Sequence, residues 1–139
     1  VVDLTTFLTQ IARLADGALA GGPFQPVSYH HFCQSRNVLG LQSEPLHLIR
    51  DVMGLDLAEM KDTVNCCGFG GSFSIDHPQV SRHIAGQKMA AIDATGAGVV
   101  VTDNPGCILH LRGAASASRR SVRVMHLADL VDLRLRQMG

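Results

Sequence analysis

Charge is scarce in this sequence and sums to nothing. Only 17% of the 139 residues are charged, with twelve acids against twelve bases. No one-signed field exists to draw in nucleic acid or an anionic membrane. Long apolar runs are missing as well. None approaches the ~20 residues of a membrane span, and the start does not read as a secretory leader. Internal repeats, low-complexity tracts and long linkers are absent. Nucleotide binding finds no support: Gly68, Gly70 and Gly71 fit neither Gly-x-x-x-x-Gly-Lys-Ser/Thr nor Gly-x-Gly-x-x-Gly after a first strand. There is no Cys-x-x-Cys, the usual loop of a structural zinc site. No flavin motif, ferredoxin-like cysteine pattern or dedicated acid, base or nucleophile stands out, so no catalytic set is assigned. The chain begins at Val1, which fits a processed protein or an excised domain.

What remains is a core-rich α/β pattern. Apolar residues make up 46% of the chain, enough for one domain with one core and no disulfide staples. That favours the reducing cytoplasm. Asp3 reads as the N-cap of a first helix that runs to about Ala15, with Leu4, Phe7, Leu8, Ile11 and Leu14 at helical spacing and Gly17 as its end. A Gly/Pro-containing stretch over 17–26 separates it from the rest. Residues 27–31 alternate as a short strand. A second helix follows Ser43, with the stripe Leu46, Ile49, Arg50 and Met53 and a stop at Gly54. Residues 55–60 read weakly as a strand. A third helix starts near His77 with Pro78 in its first turn, carries Val80, Ile84, Lys88, Ala91 and Ile92, and ends by Gly96. Residues 98–102 form the clearest strand, wholly apolar as in a parallel sheet covered on both faces. Cys107 opens a short helix, residues 121–126 form a last strand, and Leu127, Leu130, Val131 and Leu135 line the closing helix.

This alternation predicts a three-layer α/β fold with a mostly parallel sheet of about four strands and helices on both faces. The expected division is a single domain over 1–139, an N-terminal helix and loop over 1–20 and an α/β core over 26–139. Cys33, Cys66, Cys67 and Cys107 each follow a predicted strand. Sites in such sheets form beyond the carboxyl ends of the strands, so thiols far apart in sequence would meet at one rim. Thiolates suit iron–sulfur clusters, zinc or copper(I). A helix start at Cys107 would lower its pKa and favour the ligating thiolate. The glycines at 68, 70 and 71 would let backbone approach an inorganic core and donate N–H bonds to sulfur. On residue chemistry alone an iron–sulfur cluster, zinc and plain thiols all stay open. His30 and His31 face opposite sides of their strand. His30 is a candidate for touching the site, and His31 reads as a surface residue. Arg119, Arg120 and Arg123 read as solvated surface.

Three segments resemble a known family: Tyr29-His30-His31-Phe32-Cys33, Cys66-Cys67-Gly68-Phe69-Gly70-Gly71-Ser72-Phe73-Ser74, and Asp103-Asn104-Pro105-Gly106-Cys107. They are similar to the cysteine-rich CCG domain of heterodisulfide reductases, glycolate oxidase iron–sulfur subunits and the lactate-utilization protein A family, closest to the last. The resemblance extends to residues 122–129 and fits the second of two copies. It implies that Cys33, Cys66, Cys67 and Cys107 bind a [4Fe-4S] cluster, with zinc as the alternative cofactor, in an electron-transfer module of a complex oxidising L-lactate or glycolate. Other subunits would complete the turnover, and an isolated copy could self-associate. A structural or assembly module, or a thiol–disulfide oxidoreductase at Cys66-Cys67, is the alternative. The chain departs from the family pattern at three places: His110 stands where some branches have a further cysteine, His31 replaces the usual Asp, and Gln34 replaces a common His. His110 is thereby a candidate ligand, a hydrogen-bond donor to the cluster, or neither.

Overall fold

The computed structural model describes residues 1–61 and 66–139. Its centre is a three-stranded parallel sheet in the order β1 (Val27–Tyr29), β2 (Val99–Thr102), β3 (Arg123–His126). Val27 pairs with Val99 and Val99 with Arg123. Each parallel pair needs a crossover, and the crossovers are helical. The element order is α1 (Leu4–Thr6, continued as a π-helical turn Phe7–Ile11), β1, α2 (Cys33–Asn37), α3 (Glu44–His47, continued as a π-helical turn Leu48–Val52), α4 (Phe73–Asp76), α5 (Pro78–Thr95), β2, α6 (Pro105–Ala117), β3 and α7 (Leu127–Met138). Among the described residues, no helix is long and apolar enough to cross a membrane.

Alternation along the strands splits the core between two faces. Val27, Tyr29, Val99, Val101 and Met125 pack with Leu48, Ile49 and Val52 and with Leu127, Leu130 and Val131 of α7. Val100 and Val124 face the other way, onto Met89 and Ile92 of α5 and Ile108, Leu111 and Ala115 of α6. The second core also holds Phe32, Met60, Cys67 and Cys107, so two of the four thiols sit on the rim of the packed interior. This is the expected α/β sandwich.

The sequence pattern and the structure part in detail. The anticipated fourth strand over 55–60 contracts to a single parallel bridge, Leu57 to Val27, flanked by Val27 N–H to Asp56 O at 2.9 Å and Ala58 N–H to Val27 O at 2.8 Å. Asp56, Ala58 and Glu59 are weak strand formers, and the pairing stops there. Asp3 does cap the first helix, accepting from Thr6 N–H at 2.9 Å, but the regular turns end at Ile11. The Cys107 helix is long rather than short, and α2 was not anticipated. Arg50 lies outside the buried stripe and pairs with Asp51 and Glu59. Gly96 ends α5 with φ of 68°, a left-handed cap that glycine adopts without strain.

On α7 the buried position is Arg134, 1% exposed, while Leu135 faces out. The guanidinium donates to Leu19 O (3.2 Å), Gly22 O (2.9 Å), Met53 O (3.1 Å) and Gln137 Oε1 (2.6 Å). Three carbonyls from two loops satisfy the buried cation, which ties 19–22 and 53 to the last helix. Arg134→Ala leaves those carbonyls unpaired and opens a cavity. We expect it to lower unfolding free energy by about 2–4 kcal/mol in urea titrations, with Arg134→Lys recovering little; a loss under about 0.5 kcal/mol would contradict this role.

Candidate metal centre

The loops that follow β1 and β2 at the carboxyl edge of the sheet meet the segment that carries Cys66 and Cys67. The first continues β1: His30 N–H still donates to Val101 O at 2.9 Å, after which His31 and Phe32 lead into Cys33 at the start of α2. Ser35 closes that turn by donating its hydroxyl to Phe32 O at 2.7 Å. The second loop carries Cys66 and Cys67 toward α4. The third follows β2, where Asn104 caps α6 by accepting from Cys107 N–H at 3.0 Å and so fixes Cys107 in the first helical turn. Two further bonds brace the rim. Tyr29 Oη donates to Asp103 Oδ2 at 2.6 Å. His126 Nδ1 accepts from Ala128 N–H, which leaves its protonated Nε2 to donate to Asp103 O at 3.1 Å.

The four thiols fall into an inner and an outer pair. Cys67 and Cys107 are buried, with their sulfurs 2.9 Å apart. Both are free cysteines, and the gap is well beyond the ~2.05 Å of a disulfide. His30, 1% exposed, completes an inner group: one nitrogen of its ring and the two sulfurs lie within 4.8 Å of one another. Neither ring nitrogen of His30 meets hydrogen-bond geometry with a partner among the described residues, although the ring lies close enough to the Cys67 sulfur to act on it. Cys33 and Cys66 are exposed and line a pocket of about 290 Å³ together with His31, Arg36 and Asn37. Gly68 N–H donates to Cys66 Sγ at 3.3 Å, the backbone-to-sulfur bond expected of the glycine run.

Sulfur contact sets the protonation of the inner pair. Hydrogen bonding between the Cys67 and Cys107 sulfurs, against the cost of burial and helped by the His30 ring and Phe69 N–H, pulls Cys67 down to about 4. Cys107 moves far up for the same reason, with burial adding to the effect. Against the expectation that the helix start lowers Cys107, contact with Cys67 and burial raise it, and the two touching sulfurs share one proton. Burial pushes Cys66 up, partly offset by Gly68 N–H. His31 also departs from expectation. It is buried at 7% exposure, meets the Tyr29 ring edge-on at 4.8 Å, and is lowered to about 4 chiefly by burial and then by Arg36.

His110 turns away from the inner group. Its Nε2 lies 3.2 Å from Ser81 Oγ, and Ser81 donates its only proton to Gly68 O at 2.7 Å, so His110 is the donor in the chain His110–Ser81–Gly68. It braces the Cys-Cys-Gly loop. Gly68 needs that spacing: at φ of 90°, a Cβ there would lie 2.6 Å from Ser81 O. A Cβ on Gly106 would run into the Phe69 ring. These contacts clamp the second loop between α5 and α6. A larger groove of about 600 Å³ between those helices reaches the centre only through Phe69 and His110.

Nitrogen and thiolate donors in a buried, unsatisfied cluster suit a soft or borderline metal, so the residues fit a zinc ion or an iron–sulfur cluster. The comparison with known proteins agrees with the sequence resemblance. The family model of the cysteine-rich domain, CCG, matches residues 27–112. The chain belongs to the CCG cysteine-rich domain family. Within the span of this CCG domain lie β1, all four cysteines, His30 and His110. Lactate utilization protein A of Bacillus velezensis is 32% identical over 133 residues, 95% of this chain and 55% of that protein. The proteins of the same name from Bacillus subtilis (30%) and Geobacillus kaustophilus (32%) also match over 95% of this chain, and over 55% and 54% of their own lengths. The CCG chain thus spans about half the length of these relatives.

The Cys67 shift has a testable consequence in the reduced, metal-free protein. Its folded value, about 4, lies below the ordinary 9.0, so the unfolded chain holds the extra proton between those values. Stability should rise with pH from about 4 toward 9 and fall again above 9, where the unfolded chain can release the proton that folded Cys107 retains. Urea unfolding at pH 5, 7 and 8.5 should show this rise in the wild type and a flatter profile in Cys67→Ser; parallel profiles would show that the thiolate does not contribute.

Proposed function

We propose that this CCG domain is an iron–sulfur electron-transfer module in the oxidation of a 2-hydroxy acid, with Cys33, Cys66, Cys67 and Cys107 as the thiolates that hold a [4Fe-4S] cluster. The observation that carries the reading is the meeting of a buried Cys67–Cys107 pair with a Cys33–Cys66 pocket at one end of a parallel sheet. Adjacent residues 66 and 67 face different environments, one exposed and one buried. That spread suits separate iron atoms of a multi-iron core better than one small ion. Such a cluster supplies one-electron transfer. The chain's own groups position it: Gly68 N–H bonds to the Cys66 sulfur, and the Ser81–His110 chain fixes the loop.

The relatives are named for lactate utilization, which supports L-lactate over glycolate as the substrate of the parent system. Because the chain corresponds to about half of each relative, the substrate chemistry and the remaining electron carriers are assigned to other parts of that system or to partner subunits. A second reading, a single zinc ion on His30, Cys67 and Cys107, is favoured by the closeness of those three donors.

Metal analysis of protein purified without oxygen separates the two. The cluster reading expects about four iron and four acid-labile sulfide per chain with broad visible absorption, and a roughly tenfold or greater loss of iron in Cys67→Ser. About one colourless zinc per chain would replace the cluster reading with the second one; unchanged iron in Cys67→Ser would remove Cys67 from the ligand set.

A further inference from the structure

We infer that His30 is a direct nitrogen ligand of a single ion at the inner position, with Thr102 as the acceptor that orients its ring; this rests on the second, single-ion reading above. A buried polar group without a partner destabilises the fold. Nδ1 and Nε2 of His30, at 1% exposure, have no partner of hydrogen-bond geometry among the described residues. The His30 N–H to Val101 O bond holds its backbone against β2, and its burial keeps the ring from water. The groups beside it are Cys67 and Cys107, with ligand atoms inside 4.8 Å. Nitrogen at ~2.0–2.1 Å and sulfur at ~2.3 Å from a shared ion place donors roughly 3.5–4 Å apart, so binding an ion requires the Cys67 and Cys107 sulfurs to part from 2.9 Å as well as a turn of the His30 ring.

The second nitrogen has a matching orphan. A neutral imidazole that gives one lone pair to a metal carries its proton on the other nitrogen and needs an acceptor there. The ladder pairs Tyr29 with Val101, so His30 and Thr102 stand on the next rung. By strand alternation both face the α5–α6 side with Ser28 and Val100. Thr102 is fully buried, and its Oγ1 also lacks a partner among the described residues. One arrangement, metal to His30 to Thr102, accounts for both sets of unsatisfied atoms. It also supplies a donor from the first loop, while His110 is engaged by Ser81. The rival role for His30 is a hydrogen bond to the Cys67 thiolate without ligation.

Four forms of the chain, purified without oxygen, decide between these: wild type, His30→Gln, His30→Cys and Thr102→Val. Metal per chain is measured after dialysis against graded EDTA. Ligation predicts that His30→Cys retains metal within about twofold of wild type. His30→Gln, which keeps a donor N–H but binds metal poorly, should weaken retention by about 100-fold, and Thr102→Val by roughly tenfold. Melting temperatures of metal-free His30→Cys and Thr102→Val should stay at or above wild type, because each removes buried polar atoms that lack a partner among the described residues, and His30→Gln, which keeps a buried amide, should stay near wild type. With ¹⁵N-histidine labelling and Co(II) as the probe ion, pulsed EPR should show a directly bonded nitrogen in wild type that is lost in His30→Cys. Retention in His30→Gln equal to wild type, absence of a bonded nitrogen, or a melting loss that parallels metal loss would each overturn the assignment. If wild type carries iron and sulfide while His30→Gln is unchanged, the His30 assignment fails and the cluster reading stands. Zinc alone, lost in the order given, ends the cluster reading and supports His30.

Discussion

Two buried sulfurs touching at 2.9 Å are held there by the backbone on both sides. Cys107 is fixed because β2 must leave the sheet at its carboxyl edge and Asn104 immediately caps the next helix. Cys67 is fixed because Gly68 packs on the Ser81 carbonyl and Phe69 on Gly106, with no room for a Cβ at either glycine. The rest of the rim is arranged around this contact. His30 comes in from the neighbouring strand through the β1–β2 ladder, and Cys33 follows it three residues later at a helix start. A parallel sheet covered on both faces gives its loops only this edge on which to build such a meeting.

The electrostatics follow from the same contact. A buried pair of thiols cannot both ionise cheaply, so one keeps the proton and the other becomes the anion. In the metal-free state the contact lowers Cys67 and raises Cys107. The outer pair differs in kind: Cys33 and Cys66 border an open pocket beside Arg36. The centre therefore grades from a dry, nitrogen-and-sulfur inner side to an exposed, thiol-lined outer side.

Much of this was legible in the sequence. The apolar run 98–102 reads as a doubly covered strand, and β2 is buried throughout; Cys33 and Cys107 follow strands as expected, whereas Cys66 and Cys67, which they meet, follow only a single bridge. Lys88 falls on the buried stripe of its helix and is indeed fully buried, with its ammonium 3.7 Å from Met60 Sδ. Other features were hidden because they depend on distant partners. Nothing local marks Arg134 as buried in place of Leu135, since the carbonyls that accept from it lie about 80 to 115 residues away. Residues 55–60 have partial strand character but only one bridging rung. The proton on Cys107 could not be read from a helix start alone, because the decisive neighbour is 40 residues distant. The place of His30 in the inner group was partly readable: its strand direction points it to the α5–α6 side, but only the assembled ladder shows that both nitrogens are left unsatisfied.

The central claim is that His30, Cys67 and Cys107 on one side and Cys33 and Cys66 on the other enclose a single inorganic group. Anomalous diffraction at the iron and zinc edges, from crystals grown without oxygen, tests it most directly. The account predicts one metal-bearing centre at the carboxyl edge of the sheet, in bonding contact with Cys67 and Cys107. A Cys67–Cys107 disulfide with no metal at the rim, or metal bound at a different part of the domain, would contradict it.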